Sequence, residues 1–204
     1  MQDPIITAAE TNGPLNLAAL FGSHTSLEVD VGCGKGRFLI ARAAAHPNVN
    51  FLGIERRLKR VIKVAAKIRR SGLVNARILH AEAAHAVCCL LPPGSVDCFY
   101  VFFPDPWPKR RHQRRRLFCP AMLDAFHRAL RPGGAIHVAT DDVGYFQQIT
   151  SLFAHDERFE TIAPFLPTEA EQTEFELTFF RIGKPVQRCS YRAAAARSLR
   201  ASEP

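Results

Sequence analysis

Leu27-Glu28-Val29-Asp30-Val31-Gly32-Cys33-Gly34-Lys35-Gly36 decides how this chain is read. Apolar and acidic residues alternate over 27–31, the period of a strand. Glycines at 32, 34 and 36 then mark a tight loop, and residues 37–45 continue in a helical pattern. Strand, glycine loop and helix in that order make a cradle where backbone approaches a ligand closely. A dinucleotide fingerprint would put its third glycine at position 37, where Arg37 stands, so the spacing is GxGxG instead. Asp30, two residues before the loop, either faces a ligand or caps the turn.

The same alternation of elements continues on both sides. Residues 50–54, 76–80, 95–103 and 135–139 read as further strands, with helical stretches between them. That order specifies a parallel α/β sheet with right-handed crossovers. Glu55 follows the second strand about 20 residues after the loop, where a carboxylate suits a ribose diol or the start of a helix. Residues 56–70 read as an amphipathic helix with Leu58, Val61, Ile62, Ala65 and Ile68 inward. Its eight basic and no acidic residues read first as a solvated face and second as a phosphate-binding stripe. Glu82 follows the third strand, at a ligand edge or a helix start. Asp141 follows the strand at 135–139, in the same crevice or as a cap of the helix that runs to Phe153. Residues 158–163 and 177–182 are expected to form a closing antiparallel pair. The tail 189–204 reads as a short helix or a frayed end. Residues 1–24 form an extension in which only 15–21 suggests a helix, so one domain is expected over 1–204.

Chemistry is most concentrated at Phe99 to Arg116. An apolar run breaks at Pro104, and Asp105 then stands between two prolines with Trp107 beyond. Proline fixes φ and restricts its predecessor, so Asp105 is held stiffly just past a strand end, where open α/β sheets bind ligands. Residues 109–116 carry six of the formal +8 charges, leaving +2 for the rest, and are expected to enter a helix ending near Leu130. Such local basicity is the footprint of a polyanionic partner, although a charge run alone is often a solvated face. Trp107 either stacks on a base or packs within the loop.

Bulk properties exclude other classes. No stretch of about 18 apolar residues suits a membrane span, and residues 1–10 lack the pattern of a signal peptide. The six cysteines include no CxxC pair, which disfavours both a zinc knuckle and a disulfide framework and fits a reducing cytosol.

Pro104-Asp105-Pro106-Trp107-Pro108-Lys109 resembles the signature of the bacterial single-chain tRNA (guanine-N7)-methyltransferase family. The glycine loop is similar to the first motif of class I S-adenosylmethionine-dependent methyltransferases. Thr173-Glu174-Phe175-Glu176 resembles the family's Thr-x-Phe-Glu motif, with Glu174 where a basic residue is more usual. Gly183-Lys184-Pro185 matches the family's ending, and the resemblance covers roughly residues 26–185. It implies a Rossmann-like fold: a mostly parallel seven-stranded sheet with a C-terminal antiparallel pair. It implies S-adenosylmethionine as cofactor, held by Asp30, Gly32, Gly34, Glu55, Glu82 and Asp105, with Asp105 also catalytic. Asp30 and Glu82 depart from the more usual Glu and Asp. Substrate contacts are implied for Lys109, Asp141, Thr173, Glu174, Phe175 and Glu176. The implied reaction is methyl transfer to N7 of guanine at position 46 of tRNA, by a cytoplasmic monomer or homodimer that needs neither metal nor membrane. The alternatives are a non-catalytic RNA-binding module, a methyltransferase of another RNA or a small molecule, and a nicotinamide oxidoreductase, which Arg37 disfavours.

Overall fold

A computed structural model describes residues 3–8, 13–22 and 26–194. Eight strands form one sheet in the order β1-β4-β3-β2-β5-β6-β8-β7. The strands are β1 (Ile5–Thr7), β2 (Leu27–Val31), β3 (Asn50–Glu55), β4 (Ala76–His80), β5 (Val96–Phe102), β6 (Leu130–Thr140), β7 (Phe159–Ile162) and β8 (Gln187–Ala193). All neighbours from β1 to β6 pair in parallel, and β8 runs antiparallel to both β6 and β7. The α/β class therefore holds, with one strand more than the sequence suggests. The extra strand, β1, adds to the edge at β4, and Ile78 N–H donates to Pro4 O at 2.8 Å. Three residues carry too little periodicity to announce a strand.

Helices α2 (Arg37–Ala45) and α3 (Leu58–Arg70) pack on one face, against β3 and β4. On the other lie α4 (Ala83–His85) with its π-helical continuation Ala86–Leu90, α5 (Pro120–Ala129) and α6 (Val143–Ala154). The short α1 (Leu17–Phe21) is capped by Asn16 and ends at left-handed Gly22. Strand β5 shows the two-face burial its apolar run implies. Phe99 and Val101 enter the α5–α6 core, while Cys98, Tyr100 and Phe102 meet Phe38 opposite.

Four local expectations are corrected. Residues 177–181 lie in a helix, α7 (Glu174–Arg181), with Ile182 at its C-cap, and the strand pairing with β7 is β8 instead. The reason is a capping box: Thr173 Oγ1 accepts from Glu176 N–H, and Glu176 accepts back from Thr173 N–H, overriding the β propensity of the sequence that follows. Residues 189–193 are not frayed but lie within β8; the rest of the tail, 195–204, lies outside the described residues. The helix expected from 109 to 130 is split. Arg110–Arg115 forms a 3-10 turn, and α5 starts afresh with Pro120 at its first position. On α3 the buried residues are Val61, Val64, Ala65 and Ile68, whereas Leu58 and Ile62 are half exposed. The helix is rotated so that Val64 meets the glycine loop.

That packing makes a test. Gly36 has φ +74°, and a Cβ there would lie 2.9 Å from Val64. Gly36→Ala is expected to cost about 1–3 kcal/mol in urea unfolding from strain plus overpacking, and Val64→Ala to recover only the packing part. An unchanged midpoint for Gly36→Ala would contradict the packing of this turn.

Candidate active site

The sheet order reverses between β2 and β5, so their carboxyl ends open onto one crevice. Strand β2 sends Glu28 and Asp30 to the same face. Glu28 is satisfied: Arg42 donates to it at 3.1 Å and the Tyr100 hydroxyl at 2.8 Å. Asp30 is buried, and its Oδ2 has no hydrogen-bond partner. Burial first, then the charges of Glu174 and Glu55, push its carboxyl up to about 8. The next residues turn away from the strand, with Gly32 and Cys33 N–H donating to Ile54 O at 2.9 and 3.0 Å. Gly32 has φ +77°, and a Cβ built there would meet nothing within 4 Å; Gly34 lies in the same open loop. An acid with an unmatched oxygen beside an open glycine cradle suits a ligand that is cationic where it meets Asp30, as S-adenosylmethionine is.

Glu55 closes β3 and is buried. Its Oε1 accepts from Arg57 N–H at 2.8 Å and its Oε2 from Arg60 at 3.3 Å. Since a carboxylate offers about four acceptor sites, two remain for a diol. Glu82 is exposed and caps α4, accepting from His85 N–H at 3.0 Å. The structure does not bring it into contact with the other expected residues.

Beyond β5 the chain is strained at both ends of the proline segment. Phe103 (φ 54°) and Trp107 (φ 42°) are the positive-φ non-glycine residues of the described chain. Such conformations cost about 1–3 kcal/mol each and persist only where surroundings impose them. Between them Asp105 is solvent-facing, its side chain 69% exposed, with Arg56 at 3.8 Å. An exposed pair at that distance is worth little, so Asp105 is available to a ligand. Arg116 holds the loop through Pro106 O at 2.6 Å, and Arg115 lies over the Trp107 ring at 5.1 Å. Lys109, Arg110, Arg111 and Arg114 are exposed and make no ion pair among the described residues.

The third wall is α7. Phe175 is half exposed and lies 5.8 Å from Phe103, which also meets Phe179 at 5.4 Å. Asp141 pairs with Lys184, whose ammonium sits 4.8 Å from the Phe179 ring centroid. Asp142, not Asp141, caps α6. Thr173 and Glu176 cap α7, and buried Glu176 also pairs with Arg188. Glu174 is the first residue of α7.

Arg56, the Phe103–Phe179 packing and Lys184 as the partner of Asp141 carry no strong signal in the sequence. Their only signals are adjacency to an expected strand end and a matched C-terminal motif. Outside the crevice, a cleft of about 410 Å³ lies between α2, the end of α3 and α7. It is bordered by Arg37, Lys67, Arg70 and Glu174 and includes neither Asp30, Glu55 nor Asp105. Among the described residues no group of His, Cys, Asp and Glu could hold a metal, and no helix is long and apolar enough to cross a membrane.

The chain is similar to known methyltransferases. A family described as "Putative methyltransferase" matches residues 24–189. A tRNA (guanine-N(7)-)-methyltransferase of Nitrosococcus oceani is 37% identical over 165 residues, covering 80% of this chain and 70% of that protein. The enzyme of the same name from Halorhodospira halophila is 38% identical over 185 residues, covering 88% and 80%. Among solved structures, the 16S rRNA methyltransferase KamB superposes with a TM-score of 0.66 at 19% identity, covering 87% of this chain and 92% of its own, a likeness of fold.

Asp30 gives the site a pH signature. With its carboxyl raised from 3.8 to about 8, the folded chain holds a proton that the unfolded chain has lost. Stability of the ligand-free protein therefore falls as pH rises between those values, by at most on the order of 1 kcal/mol per pH unit from this group. Asp30→Asn is expected to flatten that slope in urea unfolding at pH 5 and 7.5; an identical slope would show that Asp30 is not the group responsible.

Proposed function

Because this chain belongs to the tRNA (guanine-N(7)-)-methyltransferase family, we infer that it methylates N7 of guanine at position 46 in the tRNA variable loop, in the cytoplasm, as a single methyltransferase domain. The observation that carries the reading is Asp105, an exposed carboxylate between strained residues just past β5, followed in the chain by cations that make no ion pair among the described residues. When bound, S-adenosylmethionine supplies an electrophilic methyl group on a sulfonium. Asp30 and the backbone at Gly32 and Gly34 would hold its amino-acid end, Glu55 the ribose, and Glu82 the adenine edge.

Guanine N7 carries an in-plane lone pair, so no side chain has to remove a proton first. The protein must instead align the base, and orientation supplies up to roughly 7–11 kcal/mol in ideal cases. As the purine becomes cationic, the Asp105 carboxylate stabilises the developing charge. Asp105 or Asp141 also accepts from guanine N1–H and its amino group. Adenine presents a bare N1 there and is repelled, which gives base selection. Phe103 and Phe175 offer faces for stacking on an extruded nucleotide. Lys109, Arg110, Arg111 and Arg114 take phosphates. Trp107 belongs to the loop's internal packing, between Arg115 and His112.

Three outcomes test this. With unmodified tRNA and labelled cofactor, nucleoside mass analysis is expected to return N7-methylguanosine, and any other labelled nucleoside would contradict the substrate assignment. Asp105→Ala is expected to keep the fold and lower kcat about 100-fold or more; wild-type turnover would remove Asp105 from the mechanism. Replacing Arg110, Arg111 and Arg114 by alanine is expected to weaken tRNA binding. The slope of log K against log salt should become shallower by roughly 0.7–0.9 for each phosphate that is no longer neutralised. Unchanged tRNA affinity would make the turn a solvated face.

A further inference from the structure

Helix α3 turns a long outer face to solvent. Val61, Val64, Ala65 and Ile68 are buried on one side, and opposite them Lys59, Lys63, Ala66 and Arg70 follow at i, i+4, i+7 and i+11, all exposed. From Lys59 to Arg70 the helix rises about 16 Å. Residues 56–70 hold eight basic and no acidic side chains. Some of these cations are tied down: Arg60 donates to Glu55 at 3.3 Å, Lys67 to Lys35 O at 2.8 Å and Arg69 to Asp3 at 2.8 Å. The cations of the ridge itself, Lys59, Lys63 and Arg70, make no ion pair among the described residues.

The helix gains nothing from this arrangement. Like charges three and four residues apart repel, and a cation in the first turn opposes the helix dipole. The first turn of α3 has no acid and carries Lys59. A face that only solvates a helix alternates in sign, and this one does not. The ridge also begins at the site: Arg56, two residues before α3, stands 3.8 Å from Asp105. At its far end Lys67 and Arg70 border the cleft of about 410 Å³. Leu58 and Ile62 lie half exposed on one flank. A helix that enters a membrane turns a broad apolar face outward, whereas α3 buries its main apolar face against the sheet.

We propose that the outer face of α3 is a docking surface for the tRNA backbone, on which Lys59, Lys63 and Arg70 take phosphates beyond the nucleotide presented at Asp105. This rests on the reading of the crevice as a site of tRNA methylation and adds a surface that residues 109–116 do not include. A folded RNA is far larger than a crevice that takes one nucleotide, so its backbone has to lie against the surrounding surface. A ridge of about 16 Å exceeds the spacing of successive phosphates, which lets each cation meet its own.

Titration with unmodified tRNA over a range of salt tests it in the triple variant Lys59→Gln, Lys63→Gln, Arg70→Gln. Affinity for tRNA is expected to fall about tenfold or more, and the slope of log K against log salt to become shallower by roughly 0.7–0.9 for each phosphate released. Glutamine is as good a helix former as lysine, so the urea midpoint should be unchanged or slightly higher, and S-adenosylmethionine affinity unchanged. Lys59→Arg with Lys63→Arg, which keeps both charges, should bind tRNA as the wild type does. Unchanged tRNA affinity and salt slope in the triple variant would overturn the proposal. So would a loss of tRNA affinity that comes with a lowered unfolding midpoint, since the cations would then be structural. Intact tRNA affinity with lost binding to phosphatidylserine vesicles would give the face to a membrane and overturn it as well. A wild-type protein that neither binds nor methylates tRNA would instead overturn the reading beneath.

Discussion

A carboxylate buried at the end of a central strand, with one oxygen unmatched, is the constraint around which this molecule is arranged. Asp30 lies between β3 and β5, in register with Gly53 on one side and Tyr100 on the other. Two residues earlier, Glu28 projects to the same face and is held by Arg42 and Tyr100. The strand therefore carries one acid whose partner is built into the fold and one whose partner is not. A buried charge left in that state neutralises itself by taking a proton, which is why the carboxyl of Asp30 is pushed up to about 8. A cationic ligand would favour the ionised form that the fold by itself does not pair.

Charge is segregated accordingly. Asp30 and Glu55 are buried carboxylates at the strand ends, whereas Lys109, Arg110, Arg111 and Arg114 are exposed side chains. A cationic donor belongs inside and a polyanion outside, and each field repels the other's ligand. Asp105 stands where the two meet, with Arg56 nearby at 3.8 Å. Because both are exposed, that pair is weak enough to be exchanged for a base. The strain at Phe103 and Trp107 serves the same end by removing alternative paths for the loop between them. The shape of the crevice depends on long-range ties: Arg37 and Arg42 carry the start of α7 to the glycine loop, and Phe103 packs on Phe175 and Phe179.

What could be read from sequence is what local periodicity and turn chemistry encode. The strand–glycine loop–helix unit and the buried run of β5 follow from residues within a few positions of one another, and the structure has them in place. Where tertiary packing decides, the reading fails. Leu-Thr-Phe-Phe over 177–180 looks like a strand, but the Thr173–Glu176 capping box starts a helix. Leu58 and Ile62 look like core on α3, but Val64 is the side chain that meets Gly36. At β1, three residues become a strand only because β4 offers an edge. The tie between Arg37 and Gln172 has no local signal at all, since in the sequence Arg37 is notable only for not being glycine.

The central claim is that a cation completes an acid pocket the fold leaves incomplete. The most direct measurement is the heat of S-adenosylmethionine binding at pH 7 in two buffers of different ionisation enthalpy. If the Asp30 proton, held with a pKa of about 8, leaves when the ammonium group arrives, the heats differ by about one proton's worth of buffer enthalpy, and Asp30→Asn abolishes the difference. Equal heats in the two buffers for the wild-type protein would contradict the account.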